Sequence, residues 1–268
     1  MTDAIESEPL WKPNSATVGD TRMAQLMQAT GHGSYADLWQ WSVDQPEDFW
    51  STLWDFCGAV GEKGTKILVD RDKMPGARWF PEARLNYAEN LLQRRDDGDA
   101  LVFWGEDRVR RRMSRVELYA EVARFQQFLI AAGVGEGDRV AGYLPNLPET
   151  LIAMLATTAL GAIWSSASPD FGVQGVLDRF GQIEPKVLVC VDGYWYNGKP
   201  VDCLAKNVEV VAQMPSLLKT VVVPYLNAAP AIGKIANAVG WNDIAATIET
   251  TAGPRVDAQK EVIFKRLA

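Results

Sequence analysis

The chain has 268 residues, of which 47% are hydrophobic and 23% are charged. This length fits one large or two modest domains, and the composition is that of a folded globular protein, which excludes disordered, collagen-like and disulfide-scaffold classes. The 27 basic and 34 acidic side chains give a net charge of −7, which disfavours a nucleic-acid partner because phosphate backbones are bound by basic stripes.

Three further observations narrow the location and the chemistry. The longest nearly apolar run, Leu151 to Ser166, is too short to span a bilayer, so no membrane span is predicted. The acidic, polar start of the chain is unlike a signal peptide, which favours a cytoplasmic location. The cysteines are three in number and widely spaced, and the single histidine is His32, so a disulfide framework and a zinc site are both disfavoured.

The N-terminal region is predicted to be helical and rich in aromatic residues. Thr21 to Thr30 and Ser34 to Trp41 read as short helices, and Pro46 begins a third helix whose apolar face runs to Cys57. An aromatic stripe of this kind favours packing over a ligand cage. Gly31 to Ala36 fits the letters of a dinucleotide-binding loop, but no buried strand precedes it, so we interpret it as a turn between helices.

From Ala100 onward, strands and helices alternate. A hairpin is predicted from Ala100 to Met113, and Ser114 with Glu117 forms a capping box at the start of the next helix. The elements that follow alternate in type and are strand Val140 to Leu144, helix Pro148 to Leu160, strand Ala162 to Ser166, helix Val173 to Ile183, strand Val187 to Val191, helix Cys203 to Gln213 and strand Val221 to Val223. Apolar strands alternating with helices indicate a parallel sheet covered on both faces.

The predicted fold class is therefore α/β. A helical N-terminal region, residues 1–98, precedes a doubly wound and mostly parallel sheet subdomain, residues 99–268. Beyond the last predicted strand, the segment from Leu226 to Val239 has no clear pattern, and Trp241 to Ile248 reads as a short helix.

A cluster of arginines surrounds the predicted hairpin. Its members are Arg108, Arg110, Arg111, Arg112 and Arg115. At such positions we expect the guanidinium groups to be solvated or paired with Glu106, Asp107 and Glu117. A phosphate-binding role is the less favoured alternative.

Two loops follow the carboxyl ends of predicted parallel strands, where open α/β sheets bind ligands. One runs from Ser165 to Gly172 and the other from Asp192 to Lys199. Their hydroxyls, aromatic rings and single lysine suit a nucleotide-bearing ligand, but turn chemistry accounts for the same residues equally well. The residues alone leave both interpretations open.

The segment from Lys73 to Pro81, which runs into Leu85 to Leu92, is the most specific motif in the chain. It resembles the N-terminal signature of the acetoacetyl-CoA synthetases of the adenylate-forming superfamily, and the resemblance extends from Trp11 to the last residues. Similar strings occur at Pro46 to Phe56, Tyr143 to Glu149 and Gly161 to Ser165. The resemblance implies that this chain is an N-terminal portion of the adenylate-forming enzyme domain.

The activity implied by the resemblance is that of an acid–thiol ligase. ATP and acetoacetate form an acyl-adenylate with release of pyrophosphate, and the CoA sulfur then displaces AMP. ATP with Mg²⁺ and CoA are substrates of the full-length enzyme, and no tightly bound cofactor is expected in this segment. The family's phosphate loop and C-terminal catalytic lysine are absent from the sequence, so we expect the chain to be inactive alone and to work with the downstream AMP-binding and C-terminal domains.

The same resemblance implies contacts with the CoA nucleotide through Ser168, Pro169 and Asp170, and through Tyr196 and Lys199. The family has arginines where Tyr196 and Lys199 stand, so Lys199 keeps the charge without the bidentate fork. No catalytic or metal-binding residue is expected in this chain. The alternative hypothesis is a non-catalytic binding module derived from a synthetase, because a subdomain separated from its parent exposes apolar surface.

Overall fold

The structure is a computed structural model that describes residues 10–106, 108–245 and 261–267. The chain divides into two compact units, which meet in sequence at Ala83 and Arg84. The domain boundary predicted between residues 98 and 99 stays a prediction. Within the described residues, no helix has both the length and the apolar character needed to cross a membrane.

The first unit contains short helices and two-residue strands. They are α1 (Ser15–Gly19), α2 (Arg22–Thr30), α3 (Tyr35–Asp44), α4 (Pro46–Cys57), β1 (Gly61–Glu62), β2 (Leu68–Val69) and β3 (Arg78–Trp79). Gly31 ends α2 in the left-handed conformation, and the Ser34 side chain caps α3. The sequence from Gly31 to Ala36 therefore forms the turn between α2 and α3 together with the first two residues of α3, and the predicted interhelical turn is present.

Aromatic contacts dominate the packing of this unit. Phe49 of α4 lies edge-on against Trp41 and Trp50, and Trp50 meets Trp79 in the same geometry. The apolar stripe of α4 thus packs against other rings. Among the described residues of this unit, the buried apolar side chains of the helices are Leu26, Leu38 and Pro46.

The second unit contains the alternating elements. They are β4 (Arg84–Leu85), α5 (Tyr87–Leu91), β5 (Asp99–Gly105), β6 (Val109–Ser114), α6 (Arg115–Ala131), β7 (Arg139–Tyr143), α7 (Pro148–Ala159), β8 (Ile163–Ala167), α8 (Val173–Phe180), β9 (Val187–Val191), β10 (Gly193–Tyr196), β11 (Lys199–Asp202), α9 (Leu204–Ala212), β12 (Lys219–Val223) and β13 (Ala238–Gly240). The predicted capping box is present, with Ser114 and Glu117 bonded reciprocally at the start of α6.

Five strands form one sheet in the order β13-β12-β9-β7-β8, and every neighbouring pair is parallel. The chain enters this sheet at β7 and adds β8 on one side of it. It then adds β9, β12 and β13 in succession on the other side. The direction reverses between β7 and β9, which is the doubly wound arrangement. The predicted α/β fold class is confirmed.

Helices cover both faces of this sheet. Along β9, Val187, Val189 and Val191 join one buried cluster with residues of α6 and α7, whereas Leu188 and Cys190 join a second cluster with residues of α8 and α9. Because successive side chains of a strand point to opposite faces, β9 is apolar at every position. The continuous apolar run from which this strand was predicted reflects burial on both faces.

Three sequence predictions need correction. Asp192 to Lys199, predicted as a loop, instead contributes β10 and the turn of an antiparallel hairpin with β11. The segment from Leu226 to Val239, predicted without regular structure, contains a short 3-10 turn and the beginning of β13. The helix predicted from Trp241 to Ile248 is a single 3-10 turn over Trp241–Asp243, and residues 246–248 lie outside the described residues.

The described C-terminal segment, 261–267, returns to the beginning of the second unit. Leu267 and Leu85 exchange two backbone hydrogen bonds of 3.1 Å. The buried Asn86 side-chain amide donates to the Lys265 carbonyl at 2.8 Å and to two carbonyls at the end of α7. Arg266 binds the Glu89 carboxylate through both Nε and Nη2, at 2.8 and 2.7 Å. This segment is therefore held by α5 and α7.

Candidate functional site

The reversal of winding between β7 and β9 marks where ligands bind in open α/β sheets, at the carboxyl ends of the strands. Asp192 follows β9 directly at this point and is 3% exposed. Its carboxylate accepts hydrogen bonds from the backbone N–H groups of Tyr225, Leu226 and Asn227 at 2.8, 3.0 and 2.8 Å. Asp192 therefore organises the turn after β12 and has little capacity left for a ligand.

A cavity of about 330 Å³ opens beside this point, at the carboxyl ends of β7 and β8. It is lined by Leu144, Pro145, Asn146, Thr150, Ser166, Ala167 and Ser168. The Thr150 hydroxyl donates to the Pro145 carbonyl at 2.7 Å and so fixes the turn between β7 and α7. Of the predicted CoA residues, Ser168 lines this cavity.

The loop after β8 is built around the Asp170 carboxylate. Oδ2 accepts the Ser168 hydroxyl at 2.7 Å, and Oδ1 accepts the Tyr194 hydroxyl at 2.5 Å. These two hydrogen bonds, that of Tyr194 first, together with the charge of Lys206, hold the pKa of Asp170 below its usual value. Burial, and then donation to Asp170, raises the pKa of the Tyr194 hydroxyl.

Two side chains that were not predicted as site residues complete this cluster. Lys206 of α9 donates to the Pro169 carbonyl at 2.7 Å, and Tyr143 at the end of β7 donates to the Phe171 carbonyl at 2.5 Å. Burial raises the pKa of Tyr143 to about 12. Lys206 occupies one position of an ordinary helix, and Tyr143 ends an apolar strand, so neither position carries a local signal of its role.

The β10–β11 hairpin carries the other two predicted residues. Tyr196 and Lys199 are direct cross-strand partners, and Asn197 and Gly198 form the two-residue turn between them with φ of 50° and 74°. Both side chains are exposed. The structure therefore brings Tyr196 and Lys199 together at the tip of one hairpin.

The tip of this hairpin is held by the turn that joins β5 to β6. The Glu106 carboxylate accepts the backbone N–H groups of Asn197 and Gly198, each at 2.7 Å. Arg108 donates to the Gly198 carbonyl at 3.1 Å, and its guanidinium lies 4.3 Å from the centre of the Trp195 ring. Because charged groups hold both sides of the turn, the tip is fixed although its side chains are exposed.

Three arginines of the cluster form ion pairs, each with an acidic side chain other than the expected ones. Arg111 binds the buried Glu149 at 2.8 Å, Arg112 binds Asp99, and Arg115 binds Asp96. Two expected partners were wrong for a physical reason: the Glu106 and Glu117 carboxylates accept backbone N–H groups at a turn and a helix start. Asp107, the third, lies outside the described residues.

The described residues contain no group of three His, Cys, Asp or Glu side chains that could hold a metal ion. Cys190 and Cys203 are buried, and burial raises the pKa of both thiols, that of Cys203 to about 11. Neither thiol has the exposure or the lowered pKa of a reactive nucleophile.

Comparison with known proteins gives consistent matches over most of the chain. The model of the AMP-binding enzyme family matches residues 88–259, and that of the acetyl-coenzyme A synthetase N-terminus matches residues 35–91. An acetoacetyl-coenzyme A synthetase from Rhizobium meliloti (strain 1021) is 52% identical over 223 residues, which are 81% of this chain and 34% of that protein. An acetoacetyl-CoA synthetase from Macaca fascicularis is 38% identical over 270 residues. The aligned region covers 96% of this chain and 40% of that protein.

A solved structure gives the same result. The acetoacetyl-CoA synthetase from Streptomyces lividans superposes with a TM-score of 0.82 at 36% identity, over 97% of this chain and 40% of that one. The chain thus spans between a third and two fifths of the length of these relatives.

Proposed function

The chain belongs to the AMP-binding enzyme family, and from this premise we propose that it forms the N-terminal helical region and first α/β subdomain of an acetoacetate–CoA ligase. The observation that carries the proposal is its identity of 36 to 52% with three relatives named as acetoacetyl-CoA synthetases from different organisms. Its partners are the remaining domains of the synthetase, and its location is the cytoplasm.

The proposed reaction has two steps. An acetoacetate carboxylate oxygen attacks the α-phosphorus of ATP, which is bound with Mg²⁺, and pyrophosphate leaves. The CoA sulfur then attacks the carbonyl carbon of the acyl-adenylate, the bond to the AMP oxygen breaks, and acetoacetyl-CoA and AMP are released. Adenylation is needed because a carboxylate oxygen is a poor leaving group and AMP is a good one.

Within this scheme, we propose that the chain provides part of the CoA site. Lys199 is exposed at the hairpin tip and can meet a phosphate as a point charge, and Tyr196 offers an exposed ring beside it. Ser168, Pro169 and Asp170 present a second polar segment at the carboxyl end of β8. These residues contact the CoA nucleotide, and the ATP phosphates are bound by the downstream domains.

We expect the 268-residue chain to be unable to turn over alone, because it contains no Ser/Thr/Gly-rich loop ending in Pro-Lys to hold the ATP phosphates. Incubation with ATP, Mg²⁺, acetoacetate and CoA should give no AMP above the rate without protein. Steady AMP release that requires both acetoacetate and CoA would contradict this part of the proposal.

The CoA contact is tested by calorimetric titration of this chain. Lys199→Ala should weaken CoA binding about tenfold at low salt, since one charge-assisted contact to phosphate is lost, and Lys199→Arg should keep or improve the affinity. Lys219→Ala is the matched control, because Lys219 begins β12 and so lies at the opposite end of the parallel strands. Equal affinity of Lys199→Ala and the unchanged chain would remove Lys199 from the site.

A further inference from the structure

The two segments proposed to contact CoA come from different parts of the sheet. The loop containing Ser168 follows β8, whereas the β10–β11 hairpin follows β9. In the sheet these strands are separated by β7, so their ends lie two strand spacings apart, about 10 Å. No ladder of backbone hydrogen bonds joins strands at that separation. Side chains must fix the position of one segment relative to the other.

The face of the hairpin that meets the loop is the face that carries Lys199. Tyr194 and Tyr196 are two residues apart on β10 and therefore point to the same side of the hairpin. Lys199 pairs directly with Tyr196, and opposed residues of an antiparallel pair also share a side. The Tyr194 hydroxyl reaches Asp170 from this side, so the same face presents Tyr196 and Lys199 next to the loop.

Both oxygens of the exposed Asp170 carboxylate accept a hydrogen bond from a side chain of the protein. One oxygen accepts Tyr194 and the other accepts Ser168, while Lys206 holds the neighbouring Pro169 carbonyl. An unpaired carboxylate beside a phosphate site would repel the ligand, but the charge of Asp170 is offset by Lys206 and by two hydroxyl donors. The arrangement gives Asp170 a structural part in the site in addition to the nucleotide contact proposed for its segment.

We propose that Tyr194 and Asp170 are positioning residues for CoA: their hydrogen bond joins the Ser168–Asp170 loop and the β10–β11 hairpin into one preformed surface. This inference rests on the proposed CoA site. It assigns the two residues no contact with the reacting atoms. A preformed surface binds more tightly than two independently moving segments because less ordering is needed on binding.

The test is a double-mutant cycle on CoA binding by this chain. Tyr194→Phe and Asp170→Ala should each weaken binding about tenfold, since each removes one partner of a hydrogen bond to a charged group, and the double variant should bind no more weakly than the weaker-binding single variant. Tyr225→Phe is the control, because Tyr225 is a half-buried tyrosine of the same unit that packs against Phe103. Its affinity for CoA should equal that of the unchanged chain.

A spectroscopic measurement separates positioning from general loss of structure. The ¹³Cζ chemical shift of Tyr194 at pH 7 reports the acceptor of its hydroxyl, so Asp170→Asn should move it while the shift of Tyr225 stays constant. If Tyr194→Phe binds CoA as tightly as the unchanged chain, the positioning role is overturned. If the unchanged chain does not bind CoA, the proposed CoA site itself is contradicted. Weaker binding in the variants alone supports the positioning role, so the two results can be told apart.

Discussion

The two units of this chain bury their apolar residues in different ways. In the first unit, aromatic rings form a chain of edge contacts in which Trp50 and Trp79 remain 41% and 46% exposed. In the second unit, buried clusters lie on both faces of a parallel sheet, and Phe125, Val189 and Val222 are 0% exposed. The aromatic content of a region therefore does not measure how much of it is buried.

This difference sets an expected order of stability. Burial of apolar surface is the dominant favourable term in folding, and the second unit has far more fully buried side chains among its described residues. We therefore expect backbone amides of β7, β9 and β12 to exchange with solvent more slowly than those of α2 to α4. Substitutions in the two units should have correspondingly different effects.

The largest effect is expected from Phe125→Ala in α6. Phe125 is 0% exposed and stacks on Trp241 with ring centres 4.8 Å apart, so the substitution removes a large buried ring and leaves a cavity. The expected loss is about 3–5 kcal/mol in the free energy of unfolding of the second unit. Urea titration measures this loss, and amide hydrogen exchange followed separately in each unit assigns it to the second unit.

The companion variant is Phe49→Ala in the first unit, where the ring is half-buried. Its effect should be smaller, about 1–2 kcal/mol, because less surface is removed from a partly open site. Equal losses for the two variants would mean that the first unit is as tightly packed as the second.

An intermediate effect is expected from Asp192→Ala at the exit of β9. Three backbone N–H groups of a half-buried turn lose their acceptor, the buried Asp192 carboxylate, and two of them are bonded to the same carboxylate oxygen. We expect a loss of about 2–4 kcal/mol and faster amide exchange at residues 225–227. Asp192→Asn keeps one oxygen acceptor and should lose less, so similar effects of the two variants would argue against the hydrogen-bond account.

The smallest effect is expected at Glu82 in the first unit. The backbone N–H of Thr65, then its hydroxyl, lower the pKa of Glu82 to about 2 from an ordinary value of 4.5. Because the folded-state pKa is depressed, this contribution to stability is complete above about pH 4.5 and is lost as the pH falls toward 2.

Glu82→Gln should therefore lower the unfolding midpoint of the first unit by at most a few degrees at pH 7, and by nothing near pH 2. Thermal scans at both pH values measure this unfolding midpoint. The control is Glu47→Gln, because Glu47 is an exposed glutamate of the same unit whose side chain makes no hydrogen bond to another described residue. A difference between Glu82→Gln and the unchanged chain that persists at pH 2 would contradict the assignment.

The elements that could be predicted from the sequence are those with local signals. The capping box of Ser114 and Glu117, the apolar run of β9, and Pro46 at the start of α4 each fix an element from a few adjacent residues. The β10–β11 hairpin was not predicted although Asn197-Gly198 is a strong turn signal, and its second strand contains Pro200, a residue type that is rare within strands. The Pro200 nitrogen has no hydrogen to donate, and this is tolerated because the sheet formed by β10 and β11 is two-stranded, so β11 does not need to pair with a strand on its other side.

The candidate site could be predicted only in part. The two loops were found because the carboxyl ends of parallel strands are where such folds bind ligands. The contacts that join them were not, since Tyr194 and Asp170 are 24 residues apart and Lys206 and Pro169 are 37 apart. The ion pair between Arg111 and Glu149 was not predicted for the same reason. Charge patterns in a sequence suggest partners that are close in sequence, whereas these two residues are close only in space.

The return of 261–267 to α5 has a consequence for synthesis on the ribosome. Glu89 and Arg266 are 177 residues apart. At a synthesis rate of roughly 5–20 residues per second, Arg266 is added on the order of ten to thirty seconds after Glu89. During that interval, the Asn86 amide and the Leu85 backbone also lack their partners at Lys265 and Leu267. These contacts of the second unit can therefore form only after residues 261–267 have left the ribosome.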